Sequence, residues 1–304
     1  MEPVKDLKIE PSTTIEEIFA QMLVAGGFTA KSMAQGSDIL YDMMNERCFK
    51  FVSFVGAIIS TGLRGVIRDM LKNKMFDAVI TTCGALDHDI ARTFKDYYHG
   101  DFRLDDAKLA EDNIHRLGNI LVPSESYGII IEEKMQGILN GINESLATYQ
   151  IASIIGKHLD ESSFLYWANK NDIPVFVPGI MDGAVGNQLW LYAQQHKGFN
   201  IDLMKDASKL ADLVFDAKKT GALMIGGGIS KHHTLWWNQF RGGLDYAVYI
   251  TTANEYDGSL SGALVREAIS WGKVKSKAKQ VTIHGEATIV LPFLYANLVR
   301  KIKK

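Results

Sequence analysis

Leu223 to Val274 reads LMIGGGISKHHTLWWNQFRGGLDYAVYITTANEYDGSLSGALVREAISWGKV. An apolar run ends in Gly226, Gly227 and Gly228, a helical segment follows, and Tyr246 to Thr252 returns as a β-rich run. The order strand, helix, strand makes one βαβ unit. Its first turn carries no side chains, so it either lays a ligand's phosphates against backbone N–H groups at the helix start or is a tight turn only. The spacing is not GxGxxG, because Lys231 stands where the third glycine would be. Beyond Thr252 and Ala253, Asp257-Gly258-Ser259 signals a turn, and Gly262 to Trp271 reads as a short helical run with Glu267 and Trp271 on one face at i, i+4. Gly272 stops it and leaves Lys273 on the exit. A lysine so placed is either a solvated cation on the helix dipole or, beside an indole and shielded from water, a neutral amine able to attack an imine or carbonyl carbon with Glu267 as base or cation partner.

Outward from this unit, 304 residues with 47% hydrophobic and 22% charged composition describe an ordinary globular chain with room for a large core. A formal charge of −2 provides no basic field for nucleic acid, and no apolar run approaches the roughly twenty residues that cross a membrane. MEPVKDLKIEP is polar and acidic, unlike a signal or transit peptide. Cys48 and Cys83 are too few and too isolated for a disulfide framework or a zinc site. A cytoplasmic protein without a metal is expected.

The remaining pattern alternates. Thr13 to Met22, opened by Ser12 or Thr13 with Glu16 or Glu17 following, and Thr29 to Asn45 read as helices. Phe51 to Gly56, Asp77 to Thr82, Pro174 to Pro178 and Ala222 to Gly226 read as strands, near-continuously apolar as in parallel sheets covered on both faces. Helices are expected over Gly62 to Asn73, Asp87 to Tyr97, Glu132 to Gly156 with a break near Leu146, Gly186 to Gln195, and Asp202 to Lys218. The basic cluster Arg300 to Lys304 reads as a solvated tail. The expected fold is α/β: a doubly wound, mostly parallel Rossmann-like sheet with helices on both faces. It forms a single domain over 1–304, with a helical N-terminal segment (1–48) before the core (49–304). In such a sheet ligands collect at the carboxyl ends of strands, where Ser60, Thr82, Gly84, Asp182, Gly226, Gly227, Thr252 and Ala253 fall.

GGGISKHH, DYAVYITTANEYDGS, SGA and EAISWGK, with TTCG at 81–84, RLGNILVPSESY at 116–127, YWANKNDIPVFVPGIMDGAVGN at 166–187 and HGEATIVLPFLYANL at 284–298, resemble the deoxyhypusine synthase family in sequence and in order. The resemblance covers the chain from about Phe51 onward. It implies an NAD-dependent enzyme that moves the 4-aminobutyl group of spermidine through an imine on Lys273 to a lysine of the hypusine-containing translation factor, assembled as a homotetramer with sites shared between paired subunits. His232, Glu267 and Trp271 fall with Lys273 at catalytic positions, while His233 reads as structural. Ser60, Thr82, Gly84, Asp182, Gly226, Gly227, Thr252, Ala253 and Glu286 fall at cofactor positions, and Asn187, Trp236, Asp257 and Leu260 at substrate positions.

Several positions depart from the family pattern. Ala57 stands for Asn, His88 for Glu and Glu286 for Asp on the cofactor side. Losing the first two hydrogen bonds weakens NAD by about tenfold to a hundredfold. Asn187 and Leu260 stand for two Asp residues, and Trp236 for an Asn, on the amine side. Loss of two charge-assisted bonds costs spermidine about a hundredfold or more and suits the pocket to a shorter or less charged donor. A transferase of the same family making homospermidine-like free polyamines, and a noncatalytic partner subunit, are the alternatives, the second disfavoured by the presence of Lys273.

Overall fold

In the computed structural model, which describes residues 1–302, Thr14 opens the first helix, α1 (Ile15–Ala25). Its hydroxyl accepts from the Glu17 N–H and the Glu17 carboxylate accepts from the Thr14 N–H at 2.7 Å. The cap thus falls beyond Ser12 and Thr13: the Thr13 hydroxyl instead accepts from the Glu10 N–H at 2.8 Å. Gly26, at φ 73°, ends α1, and α2 (Phe28–Asn45) leads to β1 (Phe49–Phe54). These belong to one of two compact units, formed by Met1–Phe54 together with the chain from Leu210 on; Val55–Lys209 form the other.

The second unit holds α3 (Leu63–Lys72), β2 (Ala78–Ile80) and α4 (Cys83–Phe94), followed by β3 (Tyr98–His99), α5 (Asp106–Glu111), β4 (Ile114–Leu117) and β5 (Ile120–Pro123). Strands β3, β5 and β4 form a small antiparallel sheet, in that order. Next come α6 (Gly128–Leu139), β6 (Ser145–Leu146), α7 (Thr148–Lys157), α8 (Phe164–Lys170), β7 (Val175–Phe176), α9 (Ala184–Gln195) and β8 (Asn200–Ile201). β2 pairs β7 and β6 pairs β8, both in parallel. The expected break near Leu146 is the short strand β6, which separates α6 from α7.

After α10 (Leu203–Asp216) the chain supplies β9 (Thr220–Ile225), α11 (Gly228–Gln239), β10 (Leu244–Thr251), β11 (Val274–His284) and α12 (Ala287–Ile302). Here four parallel strands run in the order β11, β10, β9, β1. Every residue of β9 is buried, which accounts for its unbroken apolar reading. Helix α2 lies on this sheet so closely that a Cβ on Gly36 would stand 2.7 Å from Ile283. The α/β fold with parallel strands flanked by helices is the one expected.

Three local expectations change. The helix over Gly262 to Trp271 is only a 3-10 turn, Val265–Ile269; Trp271 lies past its end, so the i, i+4 spacing does not put Glu267 and Trp271 on one helix face. The basic cluster is not a solvated tail throughout: Lys301 pairs with Asp38 at 2.7 Å and Arg300 with Glu16 at 3.6 Å, while residues 303–304 lie outside the described part. Strand β11 carries Lys275, Lys277 and Lys279 at alternate positions of an outer strand, a charge pattern that protects sheet edges and hides the strand from a hydropathy reading.

Inside the second unit Asp89, fully buried, accepts from Arg64 Nε at 2.7 Å, Ser163 Oγ at 2.6 Å and the Leu165 N–H at 3.0 Å. One carboxylate therefore ties α3 and α4 to the start of α8. Asp89→Ala would leave a guanidinium buried without its partner. The expected loss is about 3–5 kcal/mol, read as a lowered urea midpoint at unchanged m-value.

Candidate active site

The glycine turn sits at the carboxyl end of β9. Gly226 and Gly228 have φ of 75° and 65°, a region that side-chain-bearing residues avoid. A Cβ on Gly227 would stand 2.2 Å from Ser261 Oγ, whereas one on Gly228 would meet nothing within 4 Å. Helix α11 starts with no side chain capping it, so its first N–H groups remain available to an anion. The same edge receives the ends of β10 and β11: the Gly226 N–H donates to Ile250 O and the Gly285 N–H to Thr251 O, both at 2.9 Å. Thr252 and Ala253 therefore join Gly226 and Gly227 at one edge, as their strand-end positions led us to expect, and Glu286, named by the resemblance alone, follows Gly285 there. This arrangement fits a dinucleotide's diphosphate. Glu286 already accepts from the Thr288 N–H at 3.0 Å and from its hydroxyl, capping α12 while keeping lone pairs to share.

Beneath the following loop lies a residue whose role the sequence did not reveal. Lys231 is 1% exposed. Its amine donates to Leu260 O at 2.8 Å and Ala263 O at 2.6 Å and sits 3.8 Å from the centre of the Tyr249 ring. Tyr249 and Thr251 add hydroxyl donations to Ser261 O at 2.6 and 3.1 Å. The loop carrying Asp257 and Leu260 is thus fastened from below, while Asp257 turns back to accept from the Ser259 N–H and hydroxyl, each at 2.7 Å. Burial pushes the Lys231 amine down to about 8, with Glu267 acting in the opposite sense. The only sequence signal was a lysine in the first turn of a helix behind three glycines.

Lys273 is half-buried and its amine lies over two indoles, 5.3 Å from the centre of Trp271 and 5.7 Å from that of Trp236. Gly272, at φ 66°, turns the chain here, and the Lys273 N–H donates to Ala268 O at 2.9 Å. Among the described residues no carboxylate lies within ion-pair distance of this amine, so Glu267, exposed on the 3-10 turn, is not its salt-bridge partner. His232 stacks on Trp236, ring centres 5.8 Å apart. Burial, and then the nearby Lys273 charge, lower its pKa. The adjacent His233 accepts from Trp237 Nε1 at 3.0 Å and is pushed down to about 4 by burial; it is a packing residue, as read from the sequence.

The main chain of Lys273 and that of the glycine turn are fixed at different points of β10, while His232 stands about one helical turn past Gly228. The Leu244 N–H donates to Lys273 O at 3.0 Å, which anchors Lys273 at the start of β10, whereas Gly226 meets Ile250 near its end. Six residues at about 3.3 Å each separate the two anchor points by about 20 Å.

The second unit places its own candidates. Thr82 Oγ1 accepts from the Gly56 N–H at 3.0 Å, and Ser60 Oγ donates to Ala57 O at 2.7 Å. A Cβ on Gly56 would come within 2.7 Å of Gly84, so this pair of glycines lets the two segments touch. His88, at a departure from the family, has Nδ1 2.9 Å from the Tyr97 hydroxyl and is pushed down to about 4 by burial. Asp182 is exposed at an apolar cleft of about 420 Å³ lined also by Met181, Trp190 and Phe199, and Asn187 is exposed on α9.

Lys231 has a pH signature. Its folded-state pKa of about 8 lies below its ordinary 10.5, so between these values the unfolded chain holds more protons and stability rises with pH, by up to about 1.4 kcal/mol per unit. Below pH 8 the burial cost is fully present. Denaturant titrations from pH 7 to 10.5 should show this rise in the wild type and its loss in Lys231→Met; equal slopes would rule out the assignment.

A family model described as deoxyhypusine synthase matches residues 17–298. A probable deoxyhypusine synthase of Thermoplasma volcanium is 56% identical over 97% of this chain and 96% of its own length, and one of Picrophilus torridus is 53% identical over 98% and 97%. Among solved structures, one described as a "putative deoxyhypusine synthase" from Entamoeba histolytica covers 98% of this chain and 97% of its own at a TM-score of 0.65 and 20% identity, a likeness of fold. On the strength of the family match and of these relatives, the chain belongs to the deoxyhypusine synthase family.

Proposed function

We propose that the chain is an NAD-dependent aminobutyl transferase acting as a deoxyhypusine synthase, passing the 4-aminobutyl group of spermidine to a lysine of the hypusine-containing translation factor in the cytoplasm. The observation that carries this reading is the setting of Lys273 in a chain of this family: an amine over two indole faces, beside a histidine, without a carboxylate partner among the described residues. When bound, NAD accepts a hydride from the carbon beside the donor's secondary nitrogen and returns it in the last step. Gly226, Gly227, Thr252, Ala253 and Glu286, with Ser60, Thr82, Gly84 and Asp182, are the residues assigned to hold it. The chain works as one cofactor-binding domain, 1–304.

Uncharged Lys273 adds its nitrogen to the oxidised donor carbon. The bond from that carbon to the donor nitrogen breaks, diaminopropane leaves with a proton, and Lys273 holds the four-carbon amine as an imine. The acceptor lysine then attacks the same carbon and Lys273 departs as the free amine. His232, whose pKa is lowered by burial, is neutral near pH 7 and takes up and hands on the proton. Trp271 shields the reaction from water, Glu267 anchors a remote ammonium, and Asn187, Trp236, Asp257 and Leu260 line the amine path. The chain works within a homotetramer, with active sites shared between paired subunits as the family resemblance implies.

Incubated with NAD and radiolabelled spermidine, then reduced with borohydride, the protein should carry label on Lys273. Lys273→Arg should abolish the adduct and leave NAD binding intact; label on another residue would reassign the nucleophile. Absence of any adduct with spermidine, putrescine or agmatine would remove the enzymatic reading. Product mass with and without the translation factor separates a protein acceptor from a free amine.

A further inference from the structure

Lys273 ends in a tethered butylammonium, and its resting place reports what kind of guest its surroundings accept. The amine lies within 5.7 Å of the centres of both the Trp236 and Trp271 rings, the range over which an indole face attracts a cation. Trp236 is no loose surface ring. His232 stacks on it at an interplanar angle of 27°, and Phe240 meets it edge-on at 5.9 Å. Yet it stays 43% exposed and Trp271 68% exposed, so both rings have surface left for a second molecule. Leu260, 38% exposed, lies on the loop fastened by Lys231.

The chemistry of these walls is one-sided. An indole offers a π face and one N–H donor but no acceptor for an ammonium N–H. A primary ammonium, strongly hydrated through three N–H groups, gives up much on entering and recovers little. An ammonium whose nitrogen bears further alkyl groups gives up less hydration and presents more methyl or methylene surface to the rings.

We infer that Trp236 is a specificity-determining residue that grips the donor amine through its π face and selects an alkyl-substituted ammonium over a primary one. The inference rests on the reading of Lys273 as the reacting amine, because the donor must then be held beside the two rings that flank it. Selection therefore passes from paired carboxylates to paired rings.

The test uses butylamine and its N-methyl and N,N-dimethyl derivatives, bound to the full-length protein with NAD and followed by calorimetry, which needs no turnover. The expected result is a dissociation constant falling at least threefold with each methyl group. Trp236→Phe should keep the trend, and Trp236→Leu should flatten it to within twofold. Fluorinated tryptophans placed at position 236, which weaken the π face without changing its shape, should weaken binding stepwise. The same Trp236→Leu change should raise the KM for spermidine about tenfold at a kcat within threefold of wild type. Constants that ignore methylation, or a trend that survives Trp236→Leu and fluorination, would overturn the role of Trp236 even where the Lys273 adduct forms. A methylation trend without any Lys273 adduct would sink the transferase reading and, with it, the role of Trp236 in choosing a donor.

Discussion

A single buried amine holds the working surface together. Lys231 spends its hydrogen bonds on two loop carbonyls and its charge on the face of Tyr249, so the segment between β10 and β11 cannot lift from α11 without stranding an ammonium away from water. That segment contains Asp257, Leu260 and the 3-10 turn that delivers Trp271 and Lys273. Gly262 shows how closely it is drawn in, since a Cβ there would stand 2.0 Å from Asn254 O. The energetic cost of burying a lysine is accepted in exchange for a fixed path of chain where no regular element provides one.

This fastening has a consequence for the chemistry. Strand β10 has the amine cluster anchored at its start and the glycine turn at its end, and α11 runs back between them. His232 and Trp236 are therefore placed by helix geometry at successive turns, one facing the other. Histidine, two indoles and the lysine gather in one cluster. The carboxyl edge, with its uncapped helix and shared strand ends, is suited instead to a charged diphosphate.

The amine side also differs in kind from what paired carboxylates would make. On the reading proposed above, attraction there comes from the faces of Trp236 and Trp271 rather than from fixed negative charge. Such attraction is short in range and insensitive to salt compared with a surface ion pair. It distinguishes guests by how tightly they hold their own hydration.

Much of this was legible in the chain itself. Apolar runs with small residues at their ends located β1, β2, β9 and β10, and glycines requiring left-handed backbone fixed the turns at Gly226 and Gly272, because these signals are local. Strand β11 was not legible, since its edge lysines mimic a loop, nor was α12, which contains Pro292 and so reads as interrupted. The residues KHH and SWGK named the amine, the histidine and one indole. Only tertiary structure decided that Lys231 is the buried fastener, that Trp236 turns a second ring to Lys273, and that Lys273 and the glycine turn occupy opposite ends of one strand. Those facts depend on contacts between residues tens of positions apart, and no spacing along the sequence encodes which lysine faces inward.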